Sequence, residues 1–100
     1  MSEQVEVKHF ELGHHGAFYI ERDGERVAEQ IYSKTPDGKT VIIAHTEVSE
    51  SLRGEGIART LTLSTVEWAR KSGVKIIPVC PFAKAVFDRD PEIRDVLSRP

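Results

Sequence analysis

Glu47-Val48-Ser49-Glu50-Ser51-Leu52-Arg53-Gly54-Glu55-Gly56-Ile57-Ala58 is the stretch that decides the fold. To its left, Thr40 to Val48 is apolar and β-branched and reads as a strand. To its right, Ile57 to Lys71 carries a helical pattern, with the helix starting at Ser51 or Gly54. Between them stand a basic residue and two glycines, where a helix begins. The first turn of a helix has unpaired N–H groups and the positive end of the macrodipole. Glycine lets a ligand approach that backbone closely. Strand, glycine-containing turn and helix start together form an anion site, most often for phosphate, and Arg53 can add a charge-assisted hydrogen bond. Two familiar phosphate motifs do not fit. Gly-x-Gly-x-x-Gly would need glycine where Arg59 stands, and no Gly-Lys-Ser/Thr follows.

Upstream, Ser2 to Lys8 alternates weakly and reads as an edge strand or a loose terminus. His9 to Gly16 reads as an exposed polar turn, because the adjacent His14 and His15 point different ways on an extended chain. Ala17 to Arg22 and Arg26 to Ser33 are strands joined at Asp23-Gly24, a strong hairpin signal. Phe18 and Ile20 lie on one face and Tyr19 on the other; Val27, Ile31 and Tyr32 are the apolar members of the return strand. Thr35-Pro36-Asp37-Gly38-Lys39 makes the next turn. The result is a three-strand antiparallel meander. Val41-Ile42-Ile43-Ala44 is apolar throughout, as expected of a central strand covered on both sides. At its end the alternation puts His45 and Glu47 on one face and Thr46 and Val48 on the other. Two titratable groups there are either a functional pair or the point where the strand meets solvent.

Downstream, Ile57, Leu61 and Trp68 mark the inner face of the helix, with Ala58, Thr65 and Ala69 beside it. Trp68 is read as a core anchor. Ser72-Gly73 ends the helix. Val74 to Cys80 is a strand, and a right-handed crossover sets it parallel to Thr40–Val48. Pro78 cannot donate to the ladder, so the two parallel strands are expected to part there. Pro81 opens a short helix with Phe82, Ala85 and Val86 as its apolar stripe, Asp90-Pro91 breaks it, and Ile93, Val96 and Leu97 pack back. The fold class is α/β: antiparallel meander, helix, parallel strand, C-terminal helix, in one domain over residues 1–100.

Composition narrows the function. Hydrophobic residues are 39% and charged residues 30%, with a net charge of −2 and no basic cluster, so nucleic acid is not an expected partner. No apolar run approaches the ~20 residues of a membrane span and no signal peptide is legible, so a cytoplasmic protein with no membrane partner is expected. The single cysteine excludes an intrachain disulfide and a multi-cysteine zinc site, and no metal is expected.

Arg53-Gly54-Glu55-Gly56-Ile57-Ala58 resembles the Arg/Gln-x-x-Gly-x-Gly/Ala signature of the GCN5-related N-acetyltransferases, the GNAT superfamily. With His45-Thr46-Glu47-Val48, Val79-Cys80-Pro81-Phe82 and Asp90-Pro91-Glu92-Ile93-Arg94-Asp95-Val96-Leu97, the chain looks like the small GNAT-like proteins of YidJ type, over residues 45–97. The resemblance implies an acetyl-CoA site between the two parallel strands and no metal. Pyrophosphate would rest on the N–H groups of Gly54, Glu55, Gly56, Ile57 and Ala58, with Arg53 near a phosphate. Pantetheine would pair with the backbone of Glu47 and Val48. The partners implied are acetyl-CoA and an amine acceptor, a small molecule or a protein amine, and the protein would be a monomer or weak homodimer.

Many GNAT enzymes place a tyrosine beyond the last parallel strand as general acid. Here Tyr19 and Tyr32 lie in the early hairpin, and Cys80 occupies the strand end instead. A cysteine just before a helix is placed to be activated. It could protonate CoA or accept the acetyl group, and the plain alternative is a small core hydrophobe. His45 suits acid–base work near neutral pH by residue type, and Glu47 could act through a water. The expected function is acetyl transfer from acetyl-CoA to an amine. The alternative is a non-catalytic CoA or acyl-CoA binding module, favoured by the missing tyrosine and the small acceptor side.

Overall fold

The computed structural model describes residues 6–98. Two tight turns organise the first half. Asp23 and Gly24 take φ of 53° and 79°, the left-handed pair that a two-residue hairpin loop requires. They join β2 (His15–Arg22) to β3 (Glu25–Lys34). The second turn is closed by Thr35, whose hydroxyl donates to Asp37 Oδ1 at 2.7 Å, and it leads into β4 (Thr40–Val48). β5 (Lys75–Pro78) pairs with β4 in parallel and, with β1 (Lys8–Leu12) at the other edge, the sheet runs β1-β2-β3-β4-β5.

The strand β1 (Lys8–Leu12) is an addition to the expected meander, and pairs antiparallel with β2. The expected strand or loose terminus over Ser2–Lys8 falls mostly on residues 1–5, outside the described residues. The polar turn expected over His9–Gly16 is mostly strand, narrowed to Gly13-His14. Every β1 residue is exposed, including the alternating apolar pair Phe10 and Leu12, so the segment has no buried apolar face. Its inward ring belongs to His9, stacked on Phe18 at a centroid distance of 4.0 Å and bonded through Nε2 to the Tyr32 hydroxyl at 2.6 Å.

β4 is covered on one face, not two. Val41 and Ile43 are fully buried, while Ile42 is half-buried and Ala44 exposed. The register also slips: Tyr32 pairs with Ile43 and Ile31 with His45, leaving Ala44 as an extra residue. This bulge changes the parity of the buried face from Val41 and Ile43 to Thr46. An all-apolar run hides such a slip, because no polar residue marks the solvent side.

α1 (Ile57–Ser72) and α2 (Pro81–Arg89) pack with a single core on the inner face of the sheet. Ile57, Leu61, Val66 and Ala69 of α1 meet Ile20, Tyr32, Val41 and Ile43 in that core. Burying each such aliphatic side chain contributes roughly 1.5–3 kcal/mol. Gly73, at φ 73°, caps the end of α1. Trp68 is half-buried rather than central, in an aromatic group with His9, Phe18 and Tyr32. On α2 the buried stripe is Ala83, Val86 and Phe87. Phe82 and Ala85, expected inside, are exposed, because the face turned to the core is the one carrying Ala83, Val86 and Phe87. Ile93 and Val96, in a 3₁₀ segment over Pro91–Val96, close the core as expected.

Candidate functional site: an opening between two parallel strands

β4 and β5 run together only as far as Ile43 and Pro78. Beyond them the N–H groups of Val79 and Cys80 both donate to the Ile43 carbonyl, at 3.1 and 3.0 Å, and the chain turns into α2. Pro78 stands at the parting, as expected. From Ala44 to Val48, β4 has β3 on one edge and no strand on the other. Alternation decides which peptide groups face the opening. Ser49 N–H donates to Val27 O at 2.8 Å, which makes Ser49, Glu47 and His45 the residues bonded to β3, and turns the backbone groups of Thr46 and Val48 to the free edge. Of the two residues expected to offer their backbone, Glu47 therefore faces β3 and Val48 faces the free edge, with Thr46 beside it. Arg53 supports the assignment, since its Nε lies 3.4 Å from the Val48 carbonyl.

At the far end of this edge lies the turn into α1. A 3₁₀ turn over Glu50–Leu52 comes first, and α1 begins at Ile57, not at Ser51 or Gly54. Gly54 and Gly56 have φ of 87° and 72°, a conformation that favours glycine. Gly56 caps α1 with no side-chain hydrogen bond and no acidic residue in the first turn. The leading N–H groups of a helix lack intrahelical partners. Ile57 and Ala58 therefore present theirs outward, and the N–H groups of Gly54 and Gly56 make no backbone bond among the described residues, while the Gly56 carbonyl accepts from the Thr60 N–H at 3.0 Å. Glu55 differs, because its N–H is held by Leu52 O at 3.3 Å. It drops out of the expected cradle, and its side chain is exposed.

His45 and Glu47 come together as the alternation requires, with Nε2 3.4 Å from Oε2 and both side chains largely in solvent. They lie on the outer face, opposite the helices. Register places Glu29 beside Glu47, and Glu29 is held by Arg26 at 3.2 Å. Arg26 in turn sits 4.2 Å from the Tyr19 ring centre. Glu29, Glu47 and Ser49 line a hollow of about 360 Å³ on this face. A larger one of about 480 Å³, between Lys75 and Arg94, lies at the other end of β5, away from the opening.

Cys80 is at the strand end, as the N-cap residue of α2, but its side chain is buried (3% exposed) among core residues. His45 and Cys80 therefore belong to opposite faces of the sheet, and no hydrogen bond joins them. No tyrosine replaces Cys80: Tyr32 is buried against His9 and Tyr19 lies beneath Arg26. Burial pushes the Tyr32 hydroxyl well above the ordinary tyrosine range. Val79 and Phe82, on either side of Cys80 and Pro81, are 61% and 60% exposed, an apolar rim that the stripe expected for α2 did not reveal.

The profile of a family described as GCN5-related N-acetyl-transferase matches residues 17–96. No curated protein is similar enough in sequence to match. Among solved structures, a GCN5-like protein from Staphylococcus aureus is 32% identical, covers 96% of this chain and 90% of its own, and superposes with a TM-score of 0.70. A ribosomal-protein-alanine N-acetyltransferase from Brucella melitensis biovar Abortus 2308 is 22% identical over 87% of this chain and 63% of its own, with a TM-score of 0.58. An aminoglycoside N-acetyltransferase in complex with CoA is 18% identical over 78% and 67%, with a TM-score of 0.59. The last two likenesses are of fold alone.

Proposed function

Since the chain belongs to the GCN5-related N-acetyltransferase family, we propose that it transfers an acetyl group from acetyl-CoA to an amine, as one domain spanning residues 1–100. The observation that carries this reading is the free edge of β4 past Ile43, which leads from the buried Cys80 to the start of α1, where no side chain bonds the leading N–H groups. In this reading pantetheine amides pair with Thr46 and Val48, and the diphosphate meets the N–H groups of Gly54, Gly56, Ile57 and Ala58, with Arg53 beside it. The helix dipole and oriented amides favour that charge.

The acceptor enters over the outer face, since the helices close the inner one. Its nitrogen attacks the thioester carbonyl. A proton leaves the amine for water or for His45, with Glu47 orienting that ring; the carbon–sulfur bond breaks; and the CoA thiolate takes a proton. Cys80 at the strand end serves as that proton donor, or accepts the acetyl group first and passes it on. Working from the cytoplasm as a monomer or weak dimer, the protein would meet either a small amine or a protein amine. The test is release of CoA thiol from acetyl-CoA across a panel of amines, with His45→Ala and Cys80→Ser alongside and an acid-quenched intact mass of the protein. An acetylated wild type that is lost in Cys80→Ser identifies the covalent route. CoA binding without turnover on any amine would leave a binding module instead.

A further inference from the structure

We propose that Gln30 is a positioning residue that holds the two halves of the CoA opening in register; this rests on the reading of that opening as the CoA site. Gln30 is on β3, fully buried, beside Thr46 in register. Its amide nitrogen donates to Thr62 Oγ1 at 2.9 Å and Thr46 Oγ1 at 3.3 Å, and its amide oxygen accepts from Thr65 Oγ1 at 2.6 Å. Thr62 and Thr65 are fully buried on α1 and Thr46 is 3% exposed on β4. One side chain thus ties three elements together inside the core.

Stability alone does not account for this group. Replacing buried hydrogen-bond partners together by apolar groups of the same shape is often neutral or stabilising. What hydrogen bonds add over Leu and Val is direction, and the place where direction is needed is specific. Below Ile43, β5 backs β4 and fixes its edge. Beyond Ile43 that neighbour is gone. There α1 rests on apolar side chains such as Leu61, Val66 and Ala69, which set its distance but only weakly its register. Thr46 lies in the unsupported part of β4, and its own backbone faces the opening. Thr62 follows Ile57 by five residues, about 7.5 Å along the helix. The network therefore sets where the first turn of α1 stands relative to Thr46 and Val48.

CoA has to reach both places at once. Its nucleotide end lies on the α1 turn and its pantetheine end on β4. Joining two fragments in one ligand raises affinity by ~10²–10⁴ only when both subsites can be engaged together. Loss of register should then weaken CoA while leaving each fragment untouched, a signature that general damage to the fold does not produce.

The experiment compares wild type with Gln30→Met and Thr46→Val, each titrated with CoA, with 3′-phospho-ADP and with pantetheine, using amide shifts as readout. The expected result is CoA affinity reduced about tenfold, part of the linkage gain, with both fragments unchanged and Thr46→Ser restoring the wild-type value. Thr46→Val cuts only the β4 arm, so it carries the test if Gln30→Met does not fold. Unchanged CoA affinity, or an equal loss for CoA and fragments, overturns the proposal. Failure of wild type to bind CoA at all would instead remove the site reading, and this inference with it.

Discussion

Gly56 and Gly73 form a matched pair at the two ends of α1, with φ/ψ of 72°/23° and 73°/23°. An added Cβ at either would meet nothing within 4 Å. Both substitutions to Ala therefore cost the left-handed strain alone, ~1–2 kcal/mol of stability each. That strain is present with and without ligand, so it cancels from the binding free energy. A difference in CoA affinity between the two sites must then come from what the side chain does in the cradle. A glutamate carboxylate about 4 Å from a phosphate costs ~1 kcal/mol in water and ~4 at an effective dielectric of 20, or roughly 5-fold to several-hundred-fold in affinity. Gly56→Glu should fall in that range, Gly56→Ala should lose less, and Gly73→Glu should bind as wild type. Urea unfolding gives the stabilities and isothermal titration with CoA the affinities. Equal CoA affinity in Gly56→Glu and Gly73→Glu would refute the placement of the diphosphate.

Other expectations concern the scaffold. Burial lowers the His9 pKa, with Lys34 adding to the effect and Glu11 opposing it. The unfolded chain then binds the proton more readily, so stability is full above the ordinary histidine value of ~6.5 and falls as pH drops through it; thermal melts between pH 7.5 and 5.5 should show the loss, and His9→Phe should flatten it. The carboxylates of Asp37 and Asp95 are lowered by the Lys39 backbone N–H and by Arg70 respectively, so their contribution is lost only on further acidification, below the range used for His9. Gly16→Ala would drive a Cβ into the Tyr32 ring and to 2.6 Å from the Phe10 carbonyl, which predicts a loss of ~1–3 kcal/mol by overpacking in urea unfolding, without change in CoA affinity.

Much of this architecture was legible because it rests on local chemistry. Asp23-Gly24 has only one comfortable use between two alternating runs. The β4–α1–β5 crossover follows from handedness, and the parting of β4 and β5 from the missing N–H of Pro78. What escaped the sequence depends on partners that local patterns do not carry. β1 has no buried alternation, and its inward contact is the His9 ring on Phe18. The bulge at Ala44 lies in an apolar run where one residue more or less leaves no mark. The burial of Gln30 depends on Thr46, Thr62 and Thr65, which lie far from it in sequence. Within the site, alternation correctly paired the side chains of His45 and Glu47. The choice between the Glu47 and Thr46 backbones needed the bond from Ser49 to Val27. Cys80 was placed at the right strand end, but its burial is a property of the packed core and not of its neighbours in sequence.

The central claim, that CoA occupies the opening between β4 and β5, is tested most directly by an amide-shift titration with acetyl-CoA, with adenosine monophosphate as control. The account predicts saturable shifts for Thr46, Val48, Gly54, Gly56, Ile57 and Ala58, extending to Val79 and Cys80, with the β1–β2 edge unmoved. Adenosine monophosphate should move the glycine turn alone. Saturable shifts centred elsewhere, or none at millimolar acetyl-CoA, would contradict it.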